Sequence, residues 1–212
     1  EKTFEEVLDE HPVSIQVNGQ WQTFPNAKTA EEASYEEYKA NLRRNAQNFH
    51  ITDEHLGEGG PKAKFQANVN AIRLLKELEA AGQQASPEQQ EILSRYVGWG
   101  GLSDAFDPEK PAWVSEYAQL KELLTPEEYA AARSSTLNAH YTSPTVIQAI
   151  YEAVGRMGFE TGNILEPSMG VGNFFGMLPE EMRNSRLYGV ELDPVSGRIA
   201  KQLYPKADIT VG

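Results

Sequence analysis

The stretch that most constrains the fold runs from Asn163 to Phe175 and reads NILEPSMGVGNFF. A short apolar run ends in an acid, Glu166, and a turn with two glycines, Gly170 and Gly172, follows it. The pattern predicts the end of a buried strand, a loop close to a ligand and the entry to a helix. Glycine lets a ligand approach the backbone and adopts positive φ at little cost. A tight turn without a ligand has the same pattern, so this stretch alone leaves both interpretations open.

A second apolar run, from Arg186 to Leu192, also carries an acid at its end, Glu191. Glu191 follows Gly172 by 19 residues. An acid that holds ribose hydroxyls at the tip of the second strand is expected at about 20 residues. Strand, glycine loop, helix, strand and acid therefore predict one βαβ unit, with its ligand site beyond the carboxyl ends of the strands.

Several ligand-binding motifs do not occur in the sequence, and their absence narrows the choice of ligand. A phosphate-binding P-loop ends in Gly-Lys-Ser/Thr, and that triplet does not occur. The dinucleotide fingerprint is also imperfect, because its third glycine, Gly176, comes one residue late. No basic residue lies between Asn163 and Met182 to favour a pyrophosphate. Acids at both strand ends suit a ligand with a cationic end and a ribose, such as S-adenosylmethionine, and another nucleotide such as NAD remains the alternative.

Three motifs follow one another along the chain: HYTSP from His140, EPSMGVGNF from Glu166 and YGVELD from Tyr188. Together they resemble the motifs of the N6-adenine DNA methyltransferases. The resemblance implies that the first motif closes over the cofactor and that the acid and glycines of the second face its methionine part. In the third, the acid takes the ribose and the next apolar residue packs on adenine. The cofactor-binding residues implied in this way are Tyr141, Thr142, Glu166, Pro167, Gly170, Gly172, Asn173, Phe174, Glu191 and Leu192.

The chain departs from the pattern of that family at two places. Ser143 is inserted between the threonine and the proline of the first motif, and Met169 replaces a small residue or cysteine. The order of the motifs is that of the class whose catalytic motif lies downstream. The fold implied is α/β: a truncated Rossmann-like, S-adenosylmethionine-dependent methyltransferase core of about three parallel strands, preceded by a mainly helical region.

Residues from about Asn48 onward resemble, more closely, the large methylase–helicase proteins of bacterial conjugative elements and phages. GGPKAK from Gly59 and YVGWGGL from Tyr96 are recurrent in those proteins. Adenine-N6 transfer needs Asn or Asp followed by Pro-Pro and an aromatic ring that stacks on a flipped base, but all 12 prolines here are isolated. We therefore expect no catalytic residue and no methyl transfer in this chain alone. The catalytic motif, the DNA contacts and a helicase region are expected downstream in the same polypeptide. A non-catalytic DNA-protection or helicase-associated interaction module is the alternative.

Composition limits the partners that this chain can bind. Its 19 basic and 31 acidic residues give a net charge of −12, whereas a duplex-binding surface should be basic. We therefore expect DNA to be bound through regions outside these 212 residues. There is no cysteine, and the four histidines are scattered, so no metal site is predicted. No apolar run or signal peptide indicates a membrane, and a cytoplasmic protein is expected.

Turn and capping signals divide the chain into three regions: an appended segment over 1–48, a helical region over 49–137 and the start of the methyltransferase core over 138–212. Asn18-Gly19 predicts a hairpin in the first region, in which Trp21 is expected to pack rather than to stack on a base. Ser86-Pro87 and Thr125-Pro126 are typical of helix starts. Trp99, among three glycines, is interpreted first as a structural plug and second as an aromatic wall for the cofactor or a flipped base.

Overall fold

The computed structural model describes residues 11–53, 55–139 and 141–212. The Glu-rich opening of the chain, Glu54 and His140 lie outside the described residues. Two compact units are separated between Ala46 and Gln47. The helical region and the core predicted from the sequence over 49–137 and 138–212 both fall within the second unit, Gln47–Gly212. Within the described residues no helix combines the length and the apolar character needed to cross a membrane.

The first unit contains the predicted hairpin and one helix. Strand β1 (Val13–Val17) pairs antiparallel with β2 (Gln20–Phe24), and helix α1 (Ala27–Asn45) follows. The turn between the strands is Asn18-Gly19, with φ of 53° and 74°, as a two-residue turn with two positive φ angles requires. The prediction that Trp21 packs was wrong: its side chain is 71% exposed, because β2 has no covered face within this unit.

The second unit begins with helices whose starts were readable from local patterns. Helix α2 (Pro61–Ala80) has proline in its first turn, and α3 (Pro87–Ser94) and α5 (Pro126–Ser135) both begin with complete capping boxes. In each box the side chain of the cap residue and that of the third helical residue satisfy one another's backbone N–H. Helix α4 (Val114–Leu123) lies between them, preceded by the 3-10 turns Ser103–Phe106 and Pro111–Trp113.

The remaining elements form a small parallel sheet with its connecting helices. They are α6 (Pro144–Arg156), β3 (Asn163–Glu166), the one-turn α7 (Asn173–Gly176), the 3-10 turn Glu180–Met182, β4 (Arg186–Glu191), α8 (Pro194–Leu203) and β5 (Asp208–Val211). The strands lie in the order β3-β4-β5 and are all parallel. The prediction of a mixed α/β chain with three parallel strands is confirmed, and both acids lie where it places them, at the carboxyl ends of β3 and β4.

One hydrophobic core joins the helices to the sheet. Trp99 is 1% exposed and meets Phe65, Tyr96 and Phe106 in edge-to-face contacts, with ring centroids 6.1, 6.3 and 5.3 Å away. Such aromatic pairs stabilise a core beyond the area they bury. Trp99 is therefore a structural plug, as favoured from the sequence, and its neighbour Tyr96 borders the candidate site instead.

The apolar face of α6 is only half covered. Ile147 and Tyr151 are buried, whereas Val146 and Ile150 are 48% and 41% exposed. The spacing of apolar residues along a helix gives its apolar face but does not tell which part of that face meets a partner.

Candidate functional site

A cavity of about 510 Å³ opens at the carboxyl ends of β3 and β4. Its volume lies within the range usual for small-molecule sites. Eight of the ten residues predicted to hold a cofactor line it: Tyr141, Thr142, Glu166, Gly170, Asn173, Phe174, Glu191 and Leu192. The sheet and the glycine loop therefore bring these residues together around one space.

Glu166, the last residue of β3, brings a buried carboxyl oxygen to the wall of the cavity. Its Oε2 is buried and has no hydrogen-bond partner among the described residues. Burial raises the pKa of Glu166 to about 8, and the nearby negative charge of Glu191 adds to the effect. A buried acceptor without a donor costs free energy, so this carboxylate would be stabilised by a ligand that brings a cation or an N–H group.

Glu191, the last residue of β4, is satisfied by the backbone around it. Its Oε2 accepts a hydrogen bond from the N–H of Gly170 at 2.6 Å, and its Oε1 accepts one from the N–H of Asp193 at 2.8 Å. Asp193 in turn caps α8 by accepting from the N–H of Ser196 at 2.6 Å. The acid therefore fixes the glycine loop of one βα unit against the start of the next helix, and it still faces the cavity.

The ring of Tyr141 lies between two glycines. A Cβ built on Gly170 would come within 2.7 Å of this ring, and one built on Gly98 within 2.6 Å. Both glycines have positive φ, 56° and 68°, so a side chain there would be strained as well as crowded. The Tyr141 Oη lies 3.3 Å from Ser196 Oγ, and burial raises the pKa of Tyr141, which keeps the phenol neutral. Among the glycines around Trp99, Gly98 is therefore needed for a close approach of the backbone to Tyr141.

Gly172 and Pro167, also predicted to hold the cofactor, do not line the cavity. Gly172 has φ of 83°, and a Cβ there would meet Tyr204 at 2.6 Å and Met169 at 3.0 Å. Its bare backbone is therefore required by internal packing. The Met169 side chain, the departure noted above, is buried against the backbone of Gly189 in β4. A glycine in the neighbouring strand thus makes room for the larger residue.

Several lining residues were not predicted to hold a ligand. Tyr96 is 1% exposed, and burial raises the pKa of its phenol well above the usual value, with the nearby charge of Asp193 adding to the rise. Helix α5 and the residues after it contribute Ala131, Ser134, Ser135, Asn138 and Ala139 to the cavity wall. The capping box at Thr125 predicts where this helix begins. No local signal tells that its far end faces the sheet, since that depends on how the helices pack.

Contact between the helices and the sheet region is reinforced by an ion cluster, defined here as Lys76, Glu79, Glu128 and Arg198. Arg198 on α8 contacts Glu79 at 2.8 Å and Glu128 at 2.6 Å, and Lys76 contacts Glu128 at 2.8 Å. Burial by itself raises the pKa of Glu128, but hydrogen bonds from Lys76 and Arg198 outweigh burial and hold this pKa at about 2. The cluster holds α5 in the place where its far end borders the cavity.

Comparison with known proteins finds two relatives that are similar to parts of this chain. Over 155 residues, 73% of this chain, it is 28% identical to "Defense against restriction protein B" of Escherichia phage P1. Over 61 residues, 29% of the chain, it is 38% identical to "Type II methyltransferase M.CvrRI" of Paramecium bursaria Chlorella virus XZ-6E. The matches span only 5% and 16% of those relatives. No family model and no solved structure matches the chain. The chain is thus similar, in part, to a phage protein of defence against restriction and to a viral methyltransferase.

Proposed function

We propose that this chain binds S-adenosylmethionine as the cofactor-binding part of a DNA adenine-N6 methyltransferase. The observation that carries the proposal is the buried Oε2 of Glu166, which has no partner among the described residues and borders a cavity of nucleoside size. The α-ammonium group of S-adenosylmethionine would supply both the charge and the donor that this carboxylate lacks. The cofactor, when bound, supplies a methyl group on a sulfonium centre.

The other lining residues fit the same ligand. Glu191 faces the cavity from the neighbouring strand end and is the acceptor for ribose hydroxyls. Leu192, next to it, is 82% exposed, so an adenine ring would cover apolar surface that is otherwise in water. In this assignment the sheet is the first part of a Rossmann-like core, and Gly170 lets the Tyr141 ring, which lines the cavity, approach the loop. The match to the viral methyltransferase supports the proposal over a short segment.

The remaining parts of the reaction are assigned to other regions of a longer polypeptide. The chain lacks the Pro-Pro-aromatic motif that would hold a flipped adenine, and its net charge of −12 opposes tight binding to a duplex. Both relatives are much longer than the segments that match, which supports the assignment to a longer polypeptide. We therefore expect this chain alone to transfer no methyl group, and detection of N6-methyladenine in DNA incubated with it and the cofactor would contradict the assignment.

Calorimetric titration with S-adenosylmethionine tests the proposal directly. Glu166→Gln should weaken binding by about tenfold or more, since a hydrogen bond to a charged group contributes about 1.5–3 kcal/mol. Glu160→Gln removes the same charge from an exposed position outside the cavity and is the matched control. Equal affinity of both variants would count against the site. Displacement of the ligand by NAD at similar concentration would favour the other nucleotide.

The similarity to the phage P1 protein supports a second candidate, a DNA-protection module that keeps this fold without catalysis. The two candidates differ in the longer polypeptide. Methyl transfer to DNA by that polypeptide, lost in Glu166→Gln, supports the enzyme, whereas protection of DNA without methylation supports the module.

A further inference from the structure

A buried asparagine interrupts the apolar face of α2. Asn68 lies between Phe65 and Ile72 on the buried face of this helix and is 0% exposed. Its Oδ1 accepts a hydrogen bond from the N–H of Val97 at 2.9 Å, and its Nδ2 donates one to the carbonyl oxygen of Gly98 at 2.6 Å. An apolar residue here would remove both bonds, and polar groups withdrawn from water are costly when unpaired. The amide therefore holds one short segment of backbone against α2.

The segment that Asn68 holds is pressed against the ring of Tyr141. A Cβ built on Gly98 would come within 2.6 Å of Tyr141 Cε2, and one built on Gly170 within 2.7 Å of Cε1. The ring therefore has one edge against the segment after α3 and the other edge against the glycine loop after β3. Because both neighbours are backbone, the position of the ring depends on where these two segments are held.

The contacts continue from the ring to an acid of the candidate site. The N–H of Gly170 donates to Glu191 Oε2 at 2.6 Å, and Glu191 and Tyr141 both line the cavity. Asn68 itself does not line it. A continuous run of contacts thus leads from α2, through Gly98 and Tyr141, to the strand end of β4.

We propose that Asn68 is a positioning residue of the candidate site. By holding Gly98 it fixes the Tyr141 ring against the glycine loop, and so the helices before the sheet set the shape of the cavity. This gives the segment YVGWGGL a role besides enclosing Trp99. The expected effect on S-adenosylmethionine rests on the proposed function, whereas the position of the ring does not.

A residue that served folding alone would have no selective effect on the cavity, and Gln90 provides the matched comparison. It lies on α3, is 5% exposed, and its side-chain amide donates to the carbonyl oxygens of Gln47, Gln202 and Leu203. It does not line the cavity. Gln90→Ala therefore removes buried hydrogen bonds of the same kind without touching the Tyr141 ring.

Calorimetric titration with S-adenosylmethionine is the first part of the test. Asn68→Ala should weaken binding by about tenfold, an effect within the range for residues that do not contact the ligand. Gln90→Ala should weaken it by less than about twofold. The loss caused by Asn68→Ala should persist when combined with Tyr141→Phe, which keeps the ring, and disappear when combined with Tyr141→Ala.

The second part observes the ring directly, by ¹³C NMR of ligand-free protein labelled at the tyrosine ε carbons. Tyr141→Phe assigns the signals of Tyr141. These signals should shift in Asn68→Ala and stay in place in Gln90→Ala. Gly98→Ala, which puts a methyl group against the ring, should also shift them. Gly101→Ala is its control, because Gly101 has a similar φ of 73° but an added Cβ there meets nothing within 4 Å.

Three results would overturn the positioning role. They are Tyr141 signals that stay in place in both Asn68→Ala and Gly98→Ala, equal losses of affinity in Asn68→Ala and Gln90→Ala, and a loss that persists with Tyr141→Ala. If Asn68→Ala does not fold, the ring signals of Gly98→Ala and Gly101→Ala decide, and equal shifts in these two variants contradict the proposal. If S-adenosylmethionine binds to neither the wild type nor any variant, the cofactor proposal fails, and the ring signals still decide the role of Asn68.

Discussion

Two carboxylates within the same compact unit, Glu128 and Glu166, are both withdrawn from water but have opposite surroundings. Glu128 receives hydrogen bonds from Lys76, Arg198 and the N–H of Thr125, and its pKa is held at about 2. Glu166 has a buried oxygen that no other residue described by the structure contacts with a hydrogen bond, and its pKa is raised to about 8. The hydrogen-bond donors to Glu128 all belong to the chain, whereas we propose that a ligand supplies the donor to Glu166. Burial of an acid alone therefore does not indicate function, and the informative quantity is what remains unsatisfied.

The largest expected effect is the loss of stability in Glu128→Gln. The change keeps the size of the side chain but leaves Lys76 and Arg198 without their shared charge. Breaking a buried pair costs about 3–5 kcal/mol. We expect the lower end, about 3 kcal/mol, because Lys76 and Arg198 are still 31% and 29% exposed. Urea unfolding measures this loss of stability. The control is Glu127→Gln, which changes an exposed residue in the same helical turn. If the free energy of unfolding falls equally little in both variants, Glu128 does not have the structural role assigned to it.

The next effect concerns ligand affinity and pH. Because a cationic ligand prefers the ionised form of Glu166, affinity for S-adenosylmethionine should rise as this group loses its proton. With a pKa of about 8, the ionised fraction rises roughly fiftyfold between pH 6 and pH 8. Calorimetry in buffers of different ionisation enthalpy should also detect proton release on binding near pH 7. Glu166→Gln should lose both effects, and a wild-type affinity independent of pH would show that this carboxylate does not meet the ligand.

The two acids should also affect stability in opposite pH ranges. The raised pKa of Glu166 means that the folded state keeps a proton that the unfolded chain releases, so its stabilising contribution is present below pH 4.5 and is lost as pH rises through about 8. The lowered pKa of Glu128 contributes stability above pH 4.5, and this contribution is lost as pH falls toward about 2.

Unfolding free energies measured from pH 3 to pH 9 test this contrast. Each slope can reach at most about 1.4 kcal/mol per pH unit. Glu166→Gln should flatten the alkaline side and Glu128→Gln the acidic side. A variant that flattens the wrong side would contradict the environment assigned to its residue.

Local patterns in the sequence predict much of this fold. The capping residues Ser86 and Thr125 and the turn Asn18-Gly19 satisfy neighbouring backbone groups, so their effect is readable within a few residues. The strand ends at Glu166 and Glu191 were readable for the same reason, since parallel strands of a βαβ unit bring their carboxyl ends to one edge.

Features that depend on distant contacts could not be predicted in this way. From the sequence alone, Gly172 fits a ligand-binding loop as well as it fits a tightly packed turn. The contact with Tyr204, more than thirty residues away in the sequence, decides for the packed turn. The wall built by α5 depends on ion pairs between α5, α2 and α8. The contrast between Glu128 and Glu166 is likewise invisible in the sequence, because it arises from which donors reach each carboxylate.

The smallest expected effect separates the two causes of the raised pKa of Glu166. Glu191→Gln removes the neighbouring charge but keeps an amide oxygen that can accept the N–H of Gly170. Because burial is the larger cause and the charge of Glu191 the smaller, we expect the pKa of Glu166 to fall by less than half of its rise and to stay above 4.5. A ¹³C NMR titration of the glutamate carboxyl groups measures it, with Glu160→Gln as control. A fall to the ordinary value would mean that repulsion between the two acids dominates. Glu166 would then differ from Glu128 only in the sign of the charges next to it. Desolvation would no longer distinguish the candidate site from the ion cluster.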